Sequence, residues 1–147
     1  MTATVTRVAT PEELEAAFAL RFAVFVEEQG VSPELELDAH ETRSTHLVAR
    51  EDGEVVGTLR WREVAPGVGK VERVAVRRDR RGQGVGVLLV RAALAELAAA
   101  GLTEAVLHAQ VTARAFYERL GFRTEGEPFD EDGIAHIRMV RRPLARA

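Results

Sequence analysis

The sequence predicts an α/β fold: a single domain, 1–147, with a mixed central β-sheet of about six to seven strands flanked by helices. Three observations lead to it. Segments with strand-like and helix-like patterning follow one another as β-α-β-β-β-α-β-α-β-β, with no internal repeat or low-complexity linker. Asp52-Gly53 joins two strands as a tight hairpin signal. A glycine-rich turn, Arg81-Gly82-Gln83-Gly84-Val85-Gly86, stands between an apolar strand and an apolar helix.

Thr4 to Ala9 reads as a short strand. Thr10-Pro11-Glu12-Glu13 is a capping box with proline at the first helical position. Leu14, Phe18, Phe22 and Phe25 follow at helical spacing, and Gly30 ends that helix. From Val31 to Arg43 there is no clean period, but Glu34, Glu36, Asp38 and Glu41 supply many carboxylates; a loop or short irregular helix over a ligand cleft is expected. Thr45 to Arg50 and Glu54 to Glu63 are the hairpin strands. Ala65-Pro66-Gly67-Val68-Gly69 turns the chain into the strand Val71-Glu72-Arg73-Val74-Ala75-Val76. The helix after the glycine turn runs from Val87 to Leu97 and stops near Gly101. Glu104 to Gln110 is a strand, and Ala113 to Leu120 a short helix closed by Gly121. Phe122 to Gly126 and Gly133 to Arg141 form a final strand pair around the turn Asp130-Glu131-Asp132-Gly133.

Composition excludes several function classes. A 147-residue chain of 16.1 kDa can bury a sizeable core, and 46% hydrophobic with 29% charged residues argues against disorder. A net charge of -3 provides no global attraction to nucleic acid or to an anionic membrane. No apolar run approaches the ~20 residues that span a bilayer, and Met1-Thr2-Ala3-Thr4 lacks a signal-peptide pattern. Without cysteine there is no disulfide, thiolate metal site or cysteine nucleophile. The chain reads as soluble and cytoplasmic, and its heavy use of Ala, Arg, Val, Glu and Gly resembles that of a high-GC bacterial genome.

The glycine turn is a pre-built anion site. Glycine lets the backbone approach a ligand closely, and the first N–H groups of a helix have no partner within it. A dinucleotide fingerprint is ruled out because Gly84-Val85-Gly86-Val87-Leu88-Leu89 lacks a third glycine, and three strands and a helix come before the strand that leads into it. A nucleotide P-loop is ruled out because Val87 and Leu88 stand where Lys-Ser/Thr is required.

Arg81-x-x-Gly84-x-Gly86 after Val74-Ala75-Val76 resembles the acyl-CoA-binding signature of the GNAT N-acetyltransferase superfamily. Ala115-Phe116-Tyr117-Glu118-Arg119-Leu120-Gly121-Phe122 resembles that family's second signature. Three further segments are similar to its ElaA/YjcF-like branch: Phe25-Val26-Glu27-Glu28-Gln29-Gly30, Lys70 through Val76, and Leu107-His108-Ala109-Gln110. The resemblance implies a GNAT fold with a splayed CoA cleft between two central strands, acetyl-CoA as acyl donor, no metal, and a small-molecule or peptide amine as acceptor. It also implies that Val74, Ala75 and Val76 pair with the pantetheine arm and that the amides of Arg81, Gly82, Gln83, Gly84, Val85 and Gly86 hold the pyrophosphate. Gln110 and Phe116 complete the implied cofactor set. Family members are often dimers, so a homodimer is a state to test.

The resemblance makes Tyr117, the only tyrosine, a general acid toward the departing CoA thiolate. A phenol, whose ordinary pKa is about 10, carries its proton at neutral pH. The general base departs from the family pattern, because Lys70 stands where many relatives have glutamate. Glu72 shares a strand face with Lys70, and His46, His108 and His136 are alternatives because histidine is the residue type suited to proton transfer near neutral pH. Glu72 and His136 are named as candidates, and a water relay is a further route.

Arg77-Arg78-Asp79-Arg80-Arg81 is short and lacks interleaved aromatics, so it fits the 3′-phosphate of CoA better than nucleic acid. Glu27, Glu28, Glu34, Glu36 and Asp38 would form an acidic rim if they face the cleft. Trp61 is expected in the core or at an interface. Lys70 also motivates a rival function, a CoA-binding sensor that does not catalyse.

Overall fold

The computed structural model describes residues 3–144, apart from the side chains of Glu34 and Leu35; Met1 and Thr2 of the N-terminal segment lie outside the described residues. The chain forms β1 (Thr4–Arg7), α1 (Pro11–Arg21) continued by a π-helical segment (Phe22–Glu28), α2 (Pro33–Glu36), β2 (Thr45–Glu51), β3 (Glu54–Ala65) and β4 (Val68–Val76). After the glycine turn come α3 (Val85–Ala99), β5 (Glu104–Gln110), α4 (Arg114–Arg119), β6 (Arg123–Thr124), β7 (Phe129–Glu131) and β8 (Ile134–Arg141). This is the α/β architecture expected.

The expected cap begins α1. The Thr10 hydroxyl accepts from the Glu13 N–H at 3.2 Å, and Glu13 accepts from the Ala9 N–H at 2.8 Å. The single helical stripe expected through Phe25 does not persist. Winding widens at Phe22, which lies 45% exposed, and the bond from Gln29 N–H to the Val24 carbonyl spans five residues. The buried face of the helix is formed by Ala17, Leu20, Arg21 and Val24, which leaves Phe22 outside, while Phe25 and Gln29 line the opening in the sheet.

Asp52 and Gly53 both have left-handed backbones, φ 54° and 80°, as a two-residue hairpin turn requires. Asp132 and Gly133 repeat this geometry at φ 54° and 80°. Two residues suffice for that second turn, so Asp130 and Glu131 belong to β7 and pair with Ala135 and Ile134 rather than lying in the loop. Of the expected strand 122–126, Arg123–Thr124 pairs with β8, and the Glu125 N–H donates to the Arg138 carbonyl at 2.9 Å.

All eight strands join one sheet in the order β1-β2-β3-β4-β5-β8-β6, with β7 also pairing β8. β6 meets Val140 and Met139 while β7 meets His136 to Ile134, so the two short strands occupy the same edge of β8. Only β4 and β5 pair in parallel; α3 supplies the crossover between them.

α3 buries Val85, Leu89, Val90, Ala93, Leu94 and Leu97, and each fully buried Leu or Val contributes about 1.5–3 kcal/mol. Two strand glycines permit its close approach. A Cβ at Gly69 would overlap the Leu97 side chain, and one at Gly57 would sit 2.8 Å from the Leu89 Cδ1. Trp61 is core as expected, its indole N–H donating to Glu96 at 2.9 Å.

The sheet opens between its two parallel strands. β4 and β5 pair only at Val68↔Glu104, Gly69↔Ala105 and Lys70↔Val106. Beyond Lys70, β4 carries a bulge: Glu72 pairs with Arg60 and Ala75 with Thr58, so Arg73 and Val74 oppose Leu59 alone. Arg73 takes the left-handed conformation, φ 57°. A bulge bends and twists its strand, and here it carries β4 away from β5, which stays paired to β8 as far as Gln110.

Candidate active site

Two cavities meet in the opening. The first, of about 550 Å³, runs along the glycine turn. Val74, Ala75 and Val76 line one side; Arg81, Gly82, Gly84, Val85 and Gly86 form its end; Phe116 and Tyr117 of α4 face them. Gly82 and Gly84 have φ 78° and 87°, and Gly84 caps α3, so two left-handed residues turn the chain into the helix N-terminus. Gly86 is required by contact, since a Cβ there would stand 3.2 Å from the Phe116 ring.

Two of the expected binding residues do not line this groove with their side chains. The exposed Gln83 does not line this groove, because its side chain sits at the outer tip of the turn between two glycines. Gln110 lines the second cavity instead and donates to the Gln29 side chain at 2.8 Å. It stands where β5 has already diverged from β4.

Arg81 donates from Nε to the Val76 carbonyl at 3.0 Å and pairs with Glu28 at 2.9 Å. It thereby ties the end of β4 to the π-helical segment, and its hydrogen bond holds the Glu28 carboxyl below the usual range. Arg77 is engaged by Glu54 and Asp79, and Arg80 by Glu51 and Asp79. The exposed Arg78 forms no ion pair among the described residues.

The second cavity, of about 200 Å³, lies between the splayed strands and the π-helical segment. Glu36 of α2, Lys70, Glu72 and Arg73 of β4, His108 of β5, Glu131 of β7, Asp132 of the turn after it and His136 of β8 supply its ionisable groups. Tyr117 and Val74 line both cavities and mark their junction. Tyr117 packs edge-on against Phe116 and Phe122, with centroids 4.9 and 5.9 Å away. Burial pushes its pKa upward, so the phenol keeps its proton at any working pH.

Glu72 is on the same face as Lys70, as strand alternation requires, and the two pair at 3.3 Å. It is nevertheless a poor base. Burial works to raise its pKa, but the bond from Arg62 and the charges of Arg60 and Lys70 outweigh burial and hold it at about 2. A carboxylate this acidic binds a proton too weakly to take one from an ammonium.

The expected acidic rim is largely neutralised by arginines. Glu36 lines the second cavity and the Asp38 side chain is part-exposed, yet both are drawn into an ionic network. Arg21, 1% exposed, bonds Glu36 at 2.7 Å and Glu41 at 2.8 Å. Arg60, fully buried, meets Asp38 and Glu41 at 2.8 Å, and Arg73 reaches Asp38 at 3.4 Å. Burial opposes the charge on Asp38, yet the bond from Arg60 drives its pKa well below the usual range. Glu27 is exposed, Glu28 is held by Arg81, and the Glu34 side chain lies outside the described residues. These pairs pin 36–41 to the sheet. Sequence reasoning missed Arg21 and Arg60; the available signal was an arginine embedded in each apolar element.

His46 bonds the Glu41 carbonyl at 2.8 Å and does not line either cavity. His108 Nδ1 lies 2.9 Å from Glu131 Oε1, and His136 Nδ1 lies 2.7 Å from the Ile134 carbonyl. Among the described residues no group of three or more His, Asp or Glu is arranged to hold a metal ion, and no helix is long and apolar enough to cross a membrane.

Residues 5–143 match the family model described as the acetyltransferase (GNAT) domain. YjcF of Bacillus subtilis, an uncharacterised N-acetyltransferase, is 38% identical over 131 residues, covering 88% of this chain and 93% of that protein. A crystal structure described as an acyl-CoA N-acyltransferase from Pseudomonas aeruginosa superposes with TM-score 0.84 at 33% identity, covering 95% of this chain and 99% of that one. Escherichia coli ElaA superposes with TM-score 0.85 at 27% identity, again covering 95% and 99%. With a matching family model across nearly its whole length, an opened parallel strand pair and a glycine turn capping α3, the chain belongs to the GNAT acetyltransferase family, in its ElaA/YjcF-like branch.

Proposed function

We propose that this protein transfers the acetyl group of acetyl-CoA to a primary amine by direct attack on the thioester. The observation that carries this reading is the meeting of the two cavities at Tyr117, one built for a phosphate-bearing chain and the other lined by ionisable side chains. The relatives named for acyl-CoA N-acyltransfer and N-acetyltransfer support it.

In this reading the glycine turn binds the pyrophosphate through backbone N–H groups at the α3 N-terminus. Exposed Arg78 is placed to meet a further phosphate. The edge of β4 beyond Lys70, unpaired to β5, receives the pantetheine arm as an added strand. Tyr117 then stands beside the sulfur. Its raised pKa makes it a hydrogen-bond donor to the departing thiolate rather than a strong acid, so it lowers the cost of the developing charge without leaving a phenolate behind. The reading also carries a small-molecule or peptide amine as acceptor, a cytoplasmic setting, and neither nucleic acid nor membrane as partner.

The test is an acetylation assay by mass spectrometry on a panel containing a polyamine, an amino sugar, free amino acids and a lysine peptide. Steady formation of an N-acetyl product with at least one amine is expected. Tight acetyl-CoA binding with no product from any amine would overturn the reading in favour of a CoA-binding sensor.

A further inference from the structure

The Glu131 carboxylate lies between two histidines that line the acceptor cavity. Register puts these groups on one sheet face. His136 is directly opposite Gln110 and Phe129, His108 lies two residues before Gln110, and Glu131 two residues after Phe129. His108 is also two residues past Val106, where β5 last pairs with β4, and so stands inside the splay.

Hydrogen-bond chemistry sets the tautomers. Glu131 is ionised, its pKa lowered by the bond to His108, and an ionised carboxylate only accepts. His108 Nδ1 at 2.9 Å must therefore carry the proton, which makes Nε2 the basic nitrogen. That atom lies on the far side of the ring from Glu131, has no partner among the described residues and is not sealed from solvent. His136 is arranged the other way. Its Nδ1–H is spent on the Ile134 carbonyl at 2.7 Å, and its Nε2 turns toward Glu131 at 3.7 Å. Its basic nitrogen thus faces an anion of the cluster.

We infer that His108, oriented by Glu131, is the group that takes the proton from the acceptor amine. This rests on the acetyl-transfer reading above. His108 Nε2 accepts a proton from the bound ammonium and later yields it to solvent. The neutral amine nitrogen forms its bond to the thioester carbon, and the carbon–sulfur bond breaks. The second proton lost from that nitrogen balances the one that ends on the CoA sulfur. Glu131 stabilises the transient imidazolium and acts as a positioning residue. The other charges on this face are already engaged: Lys70 by Glu72, and Arg138, directly opposite His108, by Glu125 at 3.2 Å. His136, against the other oxygen of Glu131, and Glu36, Arg73 and Asp132 also line this cavity.

The test uses the intact protein, acetyl-CoA and the panel amine of highest turnover. In the wild type, kcat should fall in acid along a single ionisation in the histidine range. His108→Gln, which can still donate to Glu131, should lose that limb and about 10²-fold or more in kcat, with acetyl-CoA affinity unchanged. Glu131→Gln should keep the limb but move it about one unit toward acid, because removing the anion makes His108 less basic. Nitrogen-15 NMR of the wild type should show neutral His108 protonated at Nδ1. An unchanged pH profile in His108→Gln, or an Nε2-protonated His108, overturns the inference and leaves the transferase reading intact. Absence of turnover in the wild type with every amine overturns both.

Discussion

The donor groove and the acceptor cavity share Tyr117 and Val74 but are built from different material. Backbone dominates the donor groove: left-handed glycines, a helix N-terminus and an unpaired strand edge, nearly all within residues 74–87. Side chains dominate the acceptor cavity, where β4, β5, β7, β8 and the π-helical segment each contribute, and a buried ionic network braces the segment above it. A ligand recognised through its phosphates can be held by local backbone geometry. An acceptor amine must be met by charges and proton carriers assembled from distant parts of the chain. The contrast teaches that the two halves should fail differently when perturbed.

The largest effect is expected on the acceptor side. Arg60→Ala leaves Asp38, Glu41 and Glu72 without their shared buried cation, and should cost about 3–5 kcal/mol in chemical denaturation. A loss under 1 kcal/mol would mean the network does not brace this region. At the junction, Tyr117→Phe should lower kcat about 10²-fold with acetyl-CoA affinity nearly unchanged, and unaltered turnover would remove the phenol from the reaction.

On the donor side, Gly84→Val forces a β-branched residue into φ 87°. No neighbour lies within 4 Å of the added Cβ, so the effect should fall on the turn rather than on packing. Acetyl-CoA affinity should drop about tenfold by calorimetry, a loss of ~1.4 kcal/mol of binding energy. Normal binding by the variant would move the pyrophosphate elsewhere. Smallest of all, Glu28→Gln removes an exposed partner of Arg81 and should change stability by less than about 1 kcal/mol.

Acid sharpens the same comparison. Glu72 titrates at about 2 when folded, against an ordinary value of 4.5, so the folded form binds protons less readily than the unfolded chain. Its contribution is fully present above the unfolded value and is lost as pH falls from about 4.5 toward 2. The stability gap between wild type and Glu72→Gln should therefore close across that window. A gap that stays constant would show that the carboxylate is not held as described.

Legibility followed the same divide. The cap at Thr10, the Asp52-Gly53 hairpin and the 81–86 turn are short-range features whose residue types state their backbone geometry. Phe22 was misplaced because helical spacing does not say which face the sheet covers, and that face is Ala17, Leu20, Arg21 and Val24. Glu36 and Asp38 resemble a solvated rim until Arg21 and Arg60 arrive from elements distant in sequence. Glu131 looked like a turn residue, and only pairing with β8 placed it beside His108.

The sequence alone determined the α/β order, the glycine turn that leads into α3 and the resemblance to acyl-CoA-dependent transferases, because each rests on residues close together in the chain. Only the tertiary structure decided which carboxylates are neutralised, which histidine presents a basic nitrogen and how far the parallel strands open. Those properties depend on burial, strand register and through-space charge, none of which is carried by a run of neighbouring residues.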